Sequence, residues 1–101
     1  MIEGNPLLYH LPGQLHGDIE SADVTVSGGP TLLPDAPLRG RKYILIDNGS
    51  GGDIYLGGSD VTIYDGMPLA DGSSIALPLG RAALYATNAA TASGVRVMEI
   101  A

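Results

Sequence analysis

Short runs of alternating apolar and polar residues dominate the chain from residue 41 onward, which is the pattern of half-buried β-strands. Residues 43–46 are rich in β-formers and run into a polar, glycine-rich stretch whose Asn48-Gly49 pair is a strong hairpin-turn signal. Residues 53–57 follow, with Ile54 and Leu56 on one face and Tyr55 on the other. Further strands are expected over 60–64, 74–79, 81–87 and 94–100, with a turn over 65–72. Strands that recur about every ten residues specify an all-β domain, a small β-sandwich or barrel of jelly-roll or Greek-key type. The one segment that could be helical is 81–92, because it is rich in alanine. Thr87, Asn88 and Thr91 disfavour a helix, and Gly80 and Gly94 bracket a length that suits a hairpin, so a hairpin is expected there.

The N-terminal part is of a different kind. Five of the seven prolines (Pro6, Pro12, Pro30, Pro34, Pro37) fall within residues 1–38. Proline removes backbone donors and disfavours helix, so residues 1–22 are read as an extended arm with Leu7, Leu8, Tyr9, Leu11 and Leu15 as apolar anchors. An arm this apolar needs a surface to lie on, either its own domain or a neighbouring subunit. A short strand over 23–27, closed by Gly28, Gly29 and Pro30, opens a single β-domain spanning 23–101.

Charge divides the chain at a similar place. Residues 1–38 carry five acids (Glu3, Asp18, Glu20, Asp23, Asp35) and no Lys or Arg, whereas all five bases lie beyond residue 38. The net charge of -6 has the wrong sign for a nucleic-acid phosphate binder. Arg39, Arg41 and Lys42 form a cationic cluster directly after the acidic segment. It reads either as the solvated start of a strand or as a set of partners for an acidic arm from a neighbour, guiding register more than adding affinity. With 101 residues and no Cys, Phe or Trp, the chain forms one domain whose core is aliphatic, without a disulfide or cysteine-based zinc framework. No apolar run approaches the roughly 20 residues of a membrane helix, and the first residues lack the basic and apolar regions of a signal peptide. A soluble protein that is not exported is expected.

The candidate chemistry is thin. The glycine-rich stretch 49–58 has neither a following Lys-Ser/Thr pair nor the three-glycine spacing that opens a dinucleotide-binding helix, so its glycines are read as turn residues. Asp47, Asp53 and Asp60 flank glycines, but Gly49 and Gly51 stand where a calcium loop needs oxygen side chains. His10 and His16 are too few for a zinc or iron site and are read as arm residues. Ser50 and Ser59 do not match a nucleophile elbow, and the aspartates sit where turns normally place them. No cofactor, no metal and no enzymatic activity are expected.

The block Ile54-Tyr55-Leu56-Gly57-Gly58-Ser59-Asp60-Val61-Thr62, followed by Gly66-Met67-Pro68-Leu69, Gly72-Ser73-Ser74-Ile75-Ala76-Leu77-Pro78-Leu79, Leu84-Tyr85-Ala86 and Val95-Arg96-Val97-Met98-Glu99-Ile100, resembles a small β-domain of tailed-bacteriophage virion proteins. The resemblance covers residues 41–101 and not the arm. Within it, Gly57-Gly58 suits a positive-φ turn, and Ile75, Leu77, Leu79, Leu84, Val95 and Val97 alternate as core-facing positions. Burying each Leu or Ile contributes roughly 1.5 to 3 kcal/mol, enough for such a set to hold a small domain together.

What the resemblance implies is a structural virion protein, most readily a capsid decoration or cement protein. Such a protein is made in the host cytoplasm, binds the major capsid protein on the outer surface of the virion and bridges neighbouring capsid subunits. A homo-oligomer, with a trimer favoured, belongs to the same expectation. The partner-binding residues expected are Leu7, Leu8, Tyr9, Leu11, Arg39, Arg41 and Lys42. The alternatives are a tail or baseplate component and a host-surface or carbohydrate-binding appendage. The carbohydrate reading calls for three of Tyr9, Tyr43, Tyr55, Tyr64 and Tyr85 on one exposed face.

Overall fold

The computed structural model describes residues 17–101. These residues form eight strands: β1 (Ile19–Val26), β2 (Thr31–Leu32), β3 (Tyr43–Asn48), β4 (Ile54–Gly57), β5 (Met67–Leu69), β6 (Ser74–Leu77), β7 (Tyr85–Thr87) and β8 (Ala92–Ile100). They make two four-stranded antiparallel sheets, ordered β1-β8-β3-β6 and β2-β7-β4-β5, hereafter the first and second sheet. The pairs β1 with β8, β2 with β7, β3 with β6 and β4 with β5 nest inside one another. Contacts of β3 with β8 and of β4 with β7 fuse them into the two layers. This is the jelly-roll arrangement of a β-sandwich, and no helix occurs among the described residues.

Strand alternation dictates which side chains enter the core. Val24 and Val26 of β1, Ile44 and Ile46 of β3, and Val95 and Val97 of β8 are buried from the first sheet; Ile54, Leu56, Leu69 and Ala86 are buried from the second. Leu33 and Leu84 fill one end, and Ile75, Leu77 and Leu79 pack half-buried against the cluster. The interior is therefore aliphatic, as the absence of Phe and Trp requires.

Five local expectations are corrected. Strand β1 begins at Ile19, so residues 19–22 belong to the domain and not to the arm. Asn48-Gly49 does not close a hairpin, because β3 and β4 lie in different sheets. Instead the Asn48 side chain is fully buried at the crossing, its amide donating to the carbonyls of Gly52 and Leu69, both at 2.8 Å, while its carbonyl oxygen accepts from the Ser50 backbone and hydroxyl. Residues 81–92 likewise do not form a hairpin: β7 joins the second sheet and β8 the first. Asn88, whose amide donates to the carbonyl of Asp53 at 2.7 Å, marks that crossing. Residues 60–64 form a loop, and the expected turn over 65–72 contains β5.

The loop over 58–66 folds back on the outer face of the second sheet. Val61 is buried there, seated on Gly57 of β4. A Cβ on Gly57 would lie 2.7 Å from a Val61 methyl, and one on Gly66 would lie 2.7 Å from the Cβ of Tyr55. Neither Gly57 nor Gly58 adopts a positive φ, so the expectation of such a turn is replaced by one of close approach. Asp65 secures the loop by accepting from the Thr62 backbone N–H at 2.8 Å and from the Thr62 hydroxyl at 2.9 Å. These bonds hold its carboxyl below the ordinary aspartate value.

Candidate functional site

The two outer faces of the sandwich differ. The second sheet is covered by the 58–66 loop, whereas no described residue covers the first. Register and alternation place three cross-strand rows on that open face. One row runs Ile19, Ile100, Tyr43; the next runs Ser21, Met98, Leu45, Ala76; the third runs Asp23, Arg96, Asp47, Ser74. Ile19, Leu45 and Met98 are large apolar side chains left between 38% and 59% exposed. An outward strand position in contact with water alone is normally polar, so this apolar row, flanked by a charged one, is the candidate contact surface of the first sheet.

A second apolar exposure lies on the other side of the molecule. Tyr64, at the tip of the covering loop, is 92% exposed. Met67, 65% exposed at the start of the edge strand β5, pairs with Leu56 and so lies on the inner side of the second sheet, at its open edge. The loop, the turn at Gly28 and Pro30, and residues 87–89 enclose a shallow depression of about 470 Å³ beside Tyr64. Tyr64 is the one described tyrosine that is largely exposed; Tyr43, Tyr55 and Tyr85 are half-buried. The described tyrosines thus do not form the three-ring platform that carbohydrate recognition calls for.

Of the cationic cluster, the structure keeps two members at the surface. Arg39 is exposed and Lys42 half-buried, but Arg41 is buried. Its Nη1 donates to Glu99 Oε2 at 2.9 Å, its Nε to the Gly80 carbonyl at 3.0 Å, and its Nη2 to the Ala82 carbonyl. Glu99 in turn accepts from the Leu38 backbone N–H with both oxygens. Arg41 as a partner-binding residue is therefore corrected: its charge is neutralised inside the fold, on a residue that strand alternation in β8 turns inward. Arg81 joins Arg39 instead, and the two line a cleft of about 240 Å³ with residues 37–41 and Gly80. The separation of Arg81 from the cluster in sequence concealed this.

Leu7, Leu8, Tyr9 and Leu11, together with His10 and His16, lie outside the described residues. Among the described residues no three His, Cys, Asp or Glu side chains come together. Ser50 is engaged in the turn, its hydroxyl 2.6 Å from Asn48 Oδ1 and 3.0 Å from the Gly52 carbonyl. The aspartates serve local geometry: Asp71 accepts from the Gly51 N–H, Asp47 from the Ser74 hydroxyl and Asp65 from Thr62. The members of the open face, Leu45, Arg96 and Met98, were missed as site residues. Their signal was present in β8, where Met98 and Ile100 are apolar at outward positions. No helix among the described residues is long and apolar enough to cross a membrane. No family model, curated protein or solved structure matches the chain.

Proposed function

We propose that this protein is a non-enzymatic assembly module, a capsid decoration protein that binds the outer surface of a tailed-phage head and bridges neighbouring capsid subunits. The observation that carries the reading is the placement of exposed apolar side chains on both sides of one small sandwich: Ile19, Leu45 and Met98 on the first sheet, Tyr64 and Met67 at the loop and edge of the second. A protein that bridges needs two adhesive surfaces, and weak contacts repeated over a symmetric shell add through effective concentration. The resemblance of residues 41–101 to small virion β-domains supports the same reading, and a jelly roll is a scaffold that capsid-associated proteins use among many others. Tyr64 and Met67 are assigned to the capsid side. Leu7, Leu8, Tyr9 and Leu11 are further anchors, as are Arg39 and Lys42. The virion surface is the place of action and the major capsid protein the partner.

The test is binding of the full chain to heads that lack it, read by co-sedimentation and by the temperature at which the heads release their contents. Saturable binding with a raised release temperature is expected, and Tyr64→Ala with Met67→Ala is expected to weaken it. A folded chain that leaves the heads unbound and unprotected contradicts the proposal. Removal of residues 1–16 takes away no residue of the eight strands and is expected to weaken binding; unchanged binding would show that the arm plays no part in it.

A further inference from the structure

We infer that the open face of the first sheet is a contact between two copies of this chain, related by a twofold axis that runs parallel to the strands between β3 and β8. The register of those two strands carries it, and it gives the first-sheet surface named above to a second copy, leaving Tyr64 and Met67 to face the capsid.

Strands β3 and β8 pair Tyr43 with Ile100, Leu45 with Met98 and Asp47 with Arg96. A twofold axis along the strands places β8 of one copy over β3 of the other while keeping each row at its own height. Met98 then faces Leu45 of the second copy, Ile100 faces Tyr43, and Arg96 faces Asp47. Every such contact occurs twice, as a self-complementary interface requires. The outer strands agree with it, because Ser21 meets Ala76 and Asp23 meets Ser74 of the second copy. A twofold axis across the strands would instead lay the row of Asp23, Arg96 and Asp47 over the apolar row of Ile19, Ile100 and Tyr43, leaving charges buried without partners. The charge pattern therefore selects the axis along the strands.

Two further observations fit. Arg96 makes no ion pair with another described residue, so its guanidinium remains available to a partner. The opposite face of the sandwich is already covered by its own loop and Val61, whereas this face has no cover from the described residues. Four strands about 4.8 Å apart and five residues long give a patch of roughly 19 by 17 Å, small for a protein interface. A patch of that size belongs with weak, transient contacts, which become effective where copies are held close together.

Sedimentation velocity of the full chain from about 1 to 500 μM, a span set around micromolar association, tests the inference. A monomer–dimer equilibrium is expected. Arg96→Asp and Asp47→Arg each bring like charges together twice and are expected to weaken self-association at least tenfold. An equimolar mixture of the two variants pairs every introduced charge with its opposite, so a mixed dimer is expected to form where neither variant dimerises alone. Both positions are exposed, and an unchanged far-UV spectrum and melting temperature confirm folding; Leu45→Lys serves as a second variant expected to abolish the dimer. A chain that stays monomeric throughout, a trimer indifferent to these substitutions, or a mixture that fails to associate overturns the inference.

Discussion

Arg41 and Glu99, 58 positions apart in sequence, meet at 2.9 Å with side chains only 3% and 2% exposed. The pair joins the start of β3 to the end of β8 and gathers the loops at Leu38 and at 80–82 around one neutralised charge. Breaking a buried pair by removing one partner leaves an uncompensated charge in the interior, at a cost of about 3 to 5 kcal/mol. Glu99→Ala and Arg41→Ala are each expected to lower stability by that amount in urea unfolding. Replacing both by apolar residues of similar volume is expected to recover much of the loss. Single variants that unfold like the parent would contradict this role.

Gly57 and Gly66 hold the covering loop against the second sheet by their lack of a side chain. Gly57→Ala places a methyl 2.7 Å from Val61, and overpacking of this kind costs about 1 to 3 kcal/mol. Val61→Ala added to Gly57→Ala removes the 2.7 Å methyl contact but keeps the one at 2.9 Å to the residue 61 Cβ, so it is expected to restore only part of it. A double-mutant cycle by thermal or urea unfolding checks this; strict additivity would contradict it.

Asn48 saturates its side chain at the crossing between the sheets. Asn48→Ala removes the donors to the carbonyls of Gly52 and Leu69, and an unsatisfied buried acceptor costs roughly 1 to 3 kcal/mol. Asn48→Asp is expected to be at least as damaging, since a carboxylate cannot donate to either carbonyl. Amide exchange should quicken first at Gly49 and Gly72, which bond across this turn.

Asp65 provides the pH dependence of the loop. The Thr62 backbone N–H, then its hydroxyl, favour the charged carboxylate and lower its pKa from 3.8. A depressed pKa means that the stabilisation is present above the ordinary aspartate range and is lost as pH falls through the lower, folded value. Carboxyl-detected NMR titration is expected to give Asp65 a midpoint below 3.8, with the Thr62 amide shift following the same curve. A midpoint at or above that value contradicts the loop geometry.

The strands that alternate cleanly, such as β3, β4 and β8, were legible because inward Ile44, Ile46, Ile54, Leu56, Val95 and Val97 are separated by outward residues. The all-β class followed from them. What alternation does not encode is which sheet a strand joins. Asn48-Gly49 carries a hairpin signal, yet its side chain serves a crossing between layers. The stretch from Tyr85 to Ala92 reads as two strands and a turn in either topology. Residues 60–64 carry strand-forming Val61, Thr62 and Ile63, but Val61 finds its burial on the glycine surface of β4 and the segment becomes a loop. The site was less legible than the fold. Arg41 sits in a charged cluster and looks solvated, because Glu99 comes to it only through the pairing of β3 with the last strand, β8. Met98 and Leu45 look like core residues until register turns them outward.

The proposed place of this protein on the repeated surface of a virion head is checked by its copy number. Quantitative mass spectrometry of purified particles gives the ratio of this chain to the major capsid protein. A ratio near one or a large simple fraction of it is expected, as a decoration protein spread over the shell requires. A few copies per particle would place the chain at the tail or a single vertex, and its absence from particles would contradict the claim altogether.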